Sequence, residues 1–313
     1  MPERAVLPEG FSVGHWTDED AQTGCTVVIP PPGSRCGVDV RGGGPGTRET
    51  EVVGSHAGPH EASAVLLSGG SAFGLAAADG VAAWLEEHGR GHPTPGGRVP
   101  IVPAAVIYDL AVGSGSVRPG PAQGRAACEG ARAEAPQRGA VGAGAGAAVG
   151  KIFGRERAHR AGVGIASALT GQGETIAALA VVNSFGDVIA EDGSLLGAAR
   201  DEAGRPVSTA ETIAAMARPP DWTAIEERNT TLVCLMTDVP LDRAACHRTA
   251  RMASAGVARA VAPVFSDIDG DVVFCLSSGA LSGAAETDRF TALCAGTLAA
   301  EVTAAAIRDS LVT

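Results

Sequence analysis

Lysine is nearly absent from this sequence. Of 24 basic residues only Lys151 is lysine, so 23 (24 minus 1) are arginine. Arginine is a planar, permanently charged fork, whereas lysine is a compact point charge that can lose its proton when buried. A chain that has shed lysine everywhere else keeps this one for its own chemistry or by chance, and composition alone weighs the two evenly. Aromatic residues are also scarce, at 4%, with a single tyrosine, Tyr108. A core without bulky anchors must pack small side chains closely, and 43 glycines suit backbones that run near one another.

There is no basic excess either. The net charge of −11 lacks the electrostatic footprint of a nucleic-acid or anionic-membrane binder. No segment approaches about 18 uninterrupted apolar residues, and "MPERAVLPEGF" lacks an apolar stretch of signal-peptide length. The expectation is a cytoplasmic protein with neither nucleic acid nor membrane as partner. The seven cysteines are odd in number and show no CxxC or Cys/His zinc spacing, so they read as buried free thiols rather than a disulfide or metal framework. The seven histidines are scattered and form no evident triad or metal pattern.

What is present is a long chain, 313 residues and 45% hydrophobic, able to bury a large core as two packed sheets or a helix-and-sheet sandwich. Its first 50 residues read as mostly β, including "QTGCTVVIP" and "CGVDVRGGGPG". "SAVLLSGGSAFGLAAADGVAAWLEEHG" gives a strand, a Gly-Gly turn and a helix stopped by Gly89. "VPIVPAAVIYDL" is a strand carrying Tyr108 near its end, and "PAQGRAACEGARAEA" is a helix. "GETIAALAVVNSFGDVIAEDG" resembles a hairpin with Asn183 at the turn-side end of its first strand. Residues 190 to 228 loosen into a surface connection with room for one helix. From Thr230 onward the pattern is β-α-β-β-α, with "VFSDIDGDVVFCL" as the hairpin and Phe290, Leu293, Cys294, Leu298, Val302 and Ala305 on one side of the last helix.

Two motifs fail on inspection. "AGAAVGKI" has Ala145 where a phosphate-binding loop needs glycine and Ile152 where it needs Ser or Thr. "DIDGD" has Val272 and Ser278 where a calcium loop needs glycine and glutamate. Asp-Gly is a turn signal that accounts for Asp269, while Asp271 starts the next strand.

The stretch "EERNTTLVCLM" is harder to dismiss. Thr230 sits between a polar segment and a buried strand. It either just begins that strand or acts as a nucleophile freed by cutting the chain after Asn229. Thr230 would attack the Asn229 carbonyl, form an ester and become a new amino terminus once water hydrolyses it. A threonine hydroxyl needs a base, and its own free α-amine, of pKa roughly 7.7 to 8.0, is within reach. Lys151, Asn183 and Tyr108 suit the task of stabilising the oxyanion.

These segments together resemble the DmpA-type autoprocessing aminopeptidases and nylon-oligomer hydrolases. The resemblance spans nearly the whole chain, through "LLSGGSAFGLAAADGV", "VPAAVIYDL", "GAGAGAAVGK", "VVNSFGDVI", "NTTLVCLMTDV" and "SDIDGDVVF" in the family's order. It implies a four-layer αββα sandwich of N-terminal-nucleophile type, mixed α/β, formed by residues 1–313 as one domain. It implies cleavage into a large subunit, 1–229, and a small one, 230–313, which stay partnered and assemble into a homo-oligomer, a tetramer of such pairs. Thr230 matches the nucleophile and Lys151 the lysine beside it. Asn183 and Tyr108 match the polar groups at the reacting carbonyl, and Asp269 with Asp271 the acidic pair near the amine. The implied activity is hydrolysis of linear amide oligomers such as 6-aminohexanoate oligomers, without metal or cofactor. The DmpA-type peptidases use serine where this chain has Thr230, and threonine favours the nylon-like branch. The alternative is an aminopeptidase for short peptides or amino acid amides; a different class is an uncut, non-catalytic binding protein.

Overall fold

The computed structural model describes residues 5–58, 61–218, 229–279 and 287–311. Two five-stranded sheets carry the architecture. The first is built from β1 (Ser12–Asp18), β2 (Thr23–Ile29), β4 (Thr47–Arg48), β5 (Val65–Ser68) and β6 (Ala104–Val106), in the order β1-β2-β5-β6-β4. The second combines β3 (Arg35–Val40), β7 (Val163–Leu169), β8 (Thr175–Asn183), β9 (Thr230–Thr237) and β10 (Val272–Ser277), in the order β7-β8-β9-β10-β3. Each sheet is antiparallel apart from one parallel pair, β5/β6 and β9/β10.

Side-chain alternation along the strands explains the layers. On β8 and β9, Ala177, Leu179, Val181, Leu232, Cys234 and Met236 face the other sheet and join Val28, Val65, Leu67 and Ile107 in one core. The intervening Ile176, Ala178, Ala180, Val182, Val233 and Leu235 face helices α4 (Arg243–Ala260) and α5 (Arg289–Asp309). On the far side of the first sheet, Cys25, Val27, Ala64 and Leu66 pack against α1 (Ala77–Glu87) and α2 (Pro121–Glu129). The order helix, sheet, sheet, helix is the expected sandwich. Every residue of β8 and β9 is buried, which is why both read as continuous apolar runs.

The scarcity of aromatics has its counterpart in close backbone approach. A Cβ on Gly164 would lie 2.0 Å from Ala306 O, and one on Gly256 would lie 2.2 Å from Ala300 O. These glycines let α5 settle on β7 and on α4. By length and mean hydropathy α5 could cross a bilayer, but it packs along β7, β8 and α4.

Four expectations need correction. β8 forms no hairpin with the segment that follows it: its hairpin partner is the preceding β7, joined through residues 170–174, and its other neighbour is β9, while Asp187–Ile189 joins a separate small sheet with Leu195–Gly197 and Val261–Ala262. "VFSDIDGDVVFCL" is not a hairpin either, because β10 pairs in parallel with β9 and antiparallel with β3. Tyr108 lies beyond the end of β6, not on it. On α5 the buried face is made of Ala295, Gly296, Ala299, Val302, Thr303, Ala306 and Ile307, while Phe290, Leu293 and Ala305 are exposed. Mostly small residues make the contact, joined by Val302, Ile307 and the half-buried Leu298. The connection after residue 190 does contain one helix, α3 (Thr209–Ala215); residues 219–228 lie outside the described residues.

Candidate active site

Thr230 opens β9 and, by the strand's alternation, shares a face with Leu232, Cys234 and Met236, so it points into the gap between the sheets. Its register partner across the antiparallel ladder is Asn183, the last residue of β8. Two neighbouring strands therefore deliver a hydroxyl and a carboxamide side by side at one edge of the core. Thr230 is buried, at 4% exposure.

Lys151 reaches this edge from the glycine-rich stretch that precedes it. The ammonium is buried and donates to Asn183 O at 2.9 Å, Asn183 Oδ1 at 2.8 Å and Asn229 Oδ1 at 3.0 Å. The position of Asn183 is fixed further by Ala148 N–H, which donates to its Oδ1, and by its own Nδ2, which donates to the Tyr108 carbonyl at 3.1 Å. The tyrosine thus contributes its main chain to this network.

The peptide between Asn229 and Thr230 carries the closest contact. Thr230 Oγ1 donates to Asn229 O at 2.5 Å. The same carbonyl accepts from Gly270 N–H at 2.7 Å, while Asn229 N–H donates to Ile268 O at 3.1 Å. The hydroxyl, the carbonyl and an amide donor are already assembled. This amide was not visible in the sequence, where Gly270 read as a turn residue. The only signal was a glycine squeezed between two acids, and its reason is space: a Cβ there would stand 2.9 Å from Thr230 Oγ1.

The acidic pair brackets that glycine. Asp269 accepts from Ser266 N–H and Oγ and from Phe185 N–H. Asp271 accepts from Thr231 N–H at 2.5 Å and from Phe265 N–H at 3.1 Å. Both carboxyls are buried, and burial raises the Asp269 carboxyl above its usual range. Burial, reinforced by the charge of Asp269, pushes Asp271 up to about 7. Asp271 grips the backbone just after the nucleophile, while Asp269 ties the Phe185 and Ser266 backbones together. A further buried acid, Asp109, immediately after Tyr108, accepts from Gly70 N–H and the Thr23 hydroxyl, and burial raises it too. Among the described residues no group of three His, Cys, Asp or Glu could hold a metal ion.

All six expected side chains or their peptides therefore meet at one edge. Residues 9–313 match the model of peptidase family S58. The chain belongs to that family. It is 42% identical over 296 residues to an uncharacterised aminopeptidase of Mycobacterium leprae, covering 89% of this chain and 79% of the other. It is also 33% identical over 274 residues to the 6-aminohexanoate-oligomer endohydrolase of Paenarthrobacter ureafaciens, covering 86% and 73%. In three dimensions it resembles the L-aminopeptidase D-Ala-esterase/amidase of Ochrobactrum anthropi, a variant of the Ntn hydrolase fold. That superposition has a TM-score of 0.69 at 18% identity and covers 99% of this chain and 88% of the other. A β-aminopeptidase from Burkholderia sp. gives a TM-score of 0.68 at 21% identity, covering 99% and 88%. The S58 chain is a hydrolase acting on amide or peptide bonds with an Ntn-type fold, and the non-catalytic alternative gives way.

Proposed function

We propose that the chain cuts itself between Asn229 and Thr230, and that Thr230 then serves as the N-terminal nucleophile of an amide hydrolase working through an ester on its Oγ. The observation that carries this reading is the 2.5 Å contact from Thr230 Oγ1 to the carbonyl it would attack. A hydroxyl held against its own preceding peptide has the proximity that intramolecular acyl transfer requires. Lys151 and Asn183 supply donors beside it, and the released α-amine becomes the base for later turnovers.

The substrates are short linear amides. The similarity to the 6-aminohexanoate-oligomer endohydrolase supports cleavage of such oligomers. The higher identity to the mycobacterial aminopeptidases favours a second reading, removal of amino-terminal residues from short peptides or amino acid amides. Turnover of amino-blocked and free-amine versions of one substrate separates the two, because an aminopeptidase rejects the blocked form. The cut pairs are proposed to assemble into a homo-oligomer, a tetramer of pairs, in the cytoplasm.

The deciding experiment is intact mass spectrometry of the denatured protein beside Thr230→Ala. The expected result is two chains, ending at Asn229 and beginning at Thr230, for the wild type and one chain for the variant. A wild type that remains whole after long incubation overturns the reading.

A further inference from the structure

In the uncut chain Asn229 is held as one more residue of β9. The parallel bridge between residues 229 and 269 places Asn229 N–H on Ile268 O and Asn229 O on Gly270 N–H. Its side chain lies in a second cradle, with Oδ1 on Lys151 Nζ at 3.0 Å. The Asn229 Nδ2 is buried with no hydrogen-bond partner among the described residues. What the side chain contributes is a carbonyl acceptor. A Cβ at residue 270 would also meet Gly44 O at 2.9 Å, so only glycine leaves the amide and the Thr230 hydroxyl where they are.

Self-cleavage and turnover pass through the same kind of ester. In the first, Thr230 Oγ bonds to the Asn229 carbonyl carbon, the bond from that carbon to the Thr230 nitrogen breaks, and the hydroxyl proton ends on that nitrogen. Water then splits the ester, giving the Asn229 carboxyl group and restoring the hydroxyl. In the second, the same oxygen bonds to a substrate's carbonyl carbon, the leaving amine takes the proton, and water again splits an ester on Thr230 Oγ. The two esters differ only in the acyl group. A carbonyl oxygen bound to that carbon has the same donor before it, Gly270 N–H.

We propose that the cradle of residue 229, made of Gly270 N–H, Ile268 O and Lys151 Nζ, is the acyl subsite of the mature enzyme and favours substrates whose acyl residue bears a side-chain carbonyl, asparaginyl foremost. Gly270 N–H receives the oxyanion in both reactions. This rests on the self-cleaving reading above and adds what that reading leaves open, the identity of the preferred acyl residue. A residue with a main-chain N–H also satisfies Ile268 O, so the subsite takes an α-amino acyl group in extended conformation.

The test compares two rank orders. Self-cleavage rate constants of the wild type and of Asn229→Gln, Asn229→Ala and Asn229→Leu are followed by intact mass spectrometry. The kcat/KM values of the cut wild type are measured on p-nitroanilides of Asn, Gln, Ala and Leu, each with free and with acetylated amine. The expected result is one order in both series, with Asn at least tenfold above Leu. A cut enzyme whose kcat/KM values ignore that order, or that hydrolyses none of the nitroanilides, overturns the subsite and leaves self-cleavage standing. A wild type that never cuts removes the parent reading instead. The melting temperature of each residue-229 variant, measured in the Thr230→Ala background, exposes misfolding, and the nitroanilide series decides without any variant.

Discussion

Lys151 satisfies three oxygens at once, two on Asn183 and one on Asn229, in a place that water hardly reaches. Replacing it by methionine keeps much of the volume, leaves Asn183 Oδ1 with Ala148 N–H alone and takes the donor from Asn229 Oδ1. A buried polar group without a partner costs about 1–3 kcal/mol. In the uncut Thr230→Ala background, Lys151→Met is expected to lower urea-unfolding stability by about that amount. With Thr230 intact, the variant should self-cleave at least about tenfold more slowly, because the Asn229 side chain loses the ammonium that holds the residue in place. Asp271 makes a pH-dependent contribution whose sign follows from its raised pKa. The folded state binds this proton more tightly than the unfolded chain does, so stability falls as pH rises from the ordinary aspartate range to about 7, and levels off above it. Asp271→Asn should flatten that decline in melting temperature between about pH 4 and pH 7. A variant that retains the full decline would assign it to other groups.

At the scale of elements, helix α4 approaches α5 through Gly256, where an added Cβ would lie 2.2 Å from Ala300 O. Backbone cannot yield as a side-chain tip can, so Gly256→Ala must part the helices. Overpacking of this kind costs about 1–3 kcal/mol. Gly171 has open space around it, and Gly171→Ala should stay within about 0.5 kcal/mol of wild type, as surface changes do. Thermal unfolding of the two variants side by side checks the contrast. Self-cleavage should survive in Gly256→Ala, because the contacts of Asn229 and Thr230 come from β8, Lys151 and the 268–271 segment rather than from α4.

For the whole molecule, the proposed cut falls within one sheet, not between two bodies. Residues 230–313 contribute β9, β10, α4 and α5, while residues 1–229 contribute β3, β7 and β8 to the same sheet. The β8/β9 ladder alone joins eight residue pairs, from Asn183 with Thr230 to Ile176 with Thr237. Breaking the peptide removes one covalent bond and leaves the ladder and both cores. The cut chains should therefore co-elute in size exclusion under native conditions and separate only in concentrated denaturant. Separation without denaturant would show that the ladder does not hold them.

The sequence by itself determined the layers and most of the site. The continuous apolar runs "TIAALAVVN" and "TTLVCLMT" mark strands buried on both faces, and a lone lysine together with a threonine that follows asparagine marks the candidate chemistry. Strand partnership was decided only in three dimensions. The "VVNSFGDVI" and "SDIDGDVVF" segments carry local turn signals, yet the strands they flank do not pair across those turns: β8 pairs with the preceding β7 and the distant β9, and β10 with β9 and β3, because burying both faces of β8 and β9 outweighs the local preference. The same holds for Gly270. Its amide lies against the Asn229 carbonyl because β10 runs parallel to β9, and a parallel partner supplied from 40 residues downstream leaves no local trace in sequence.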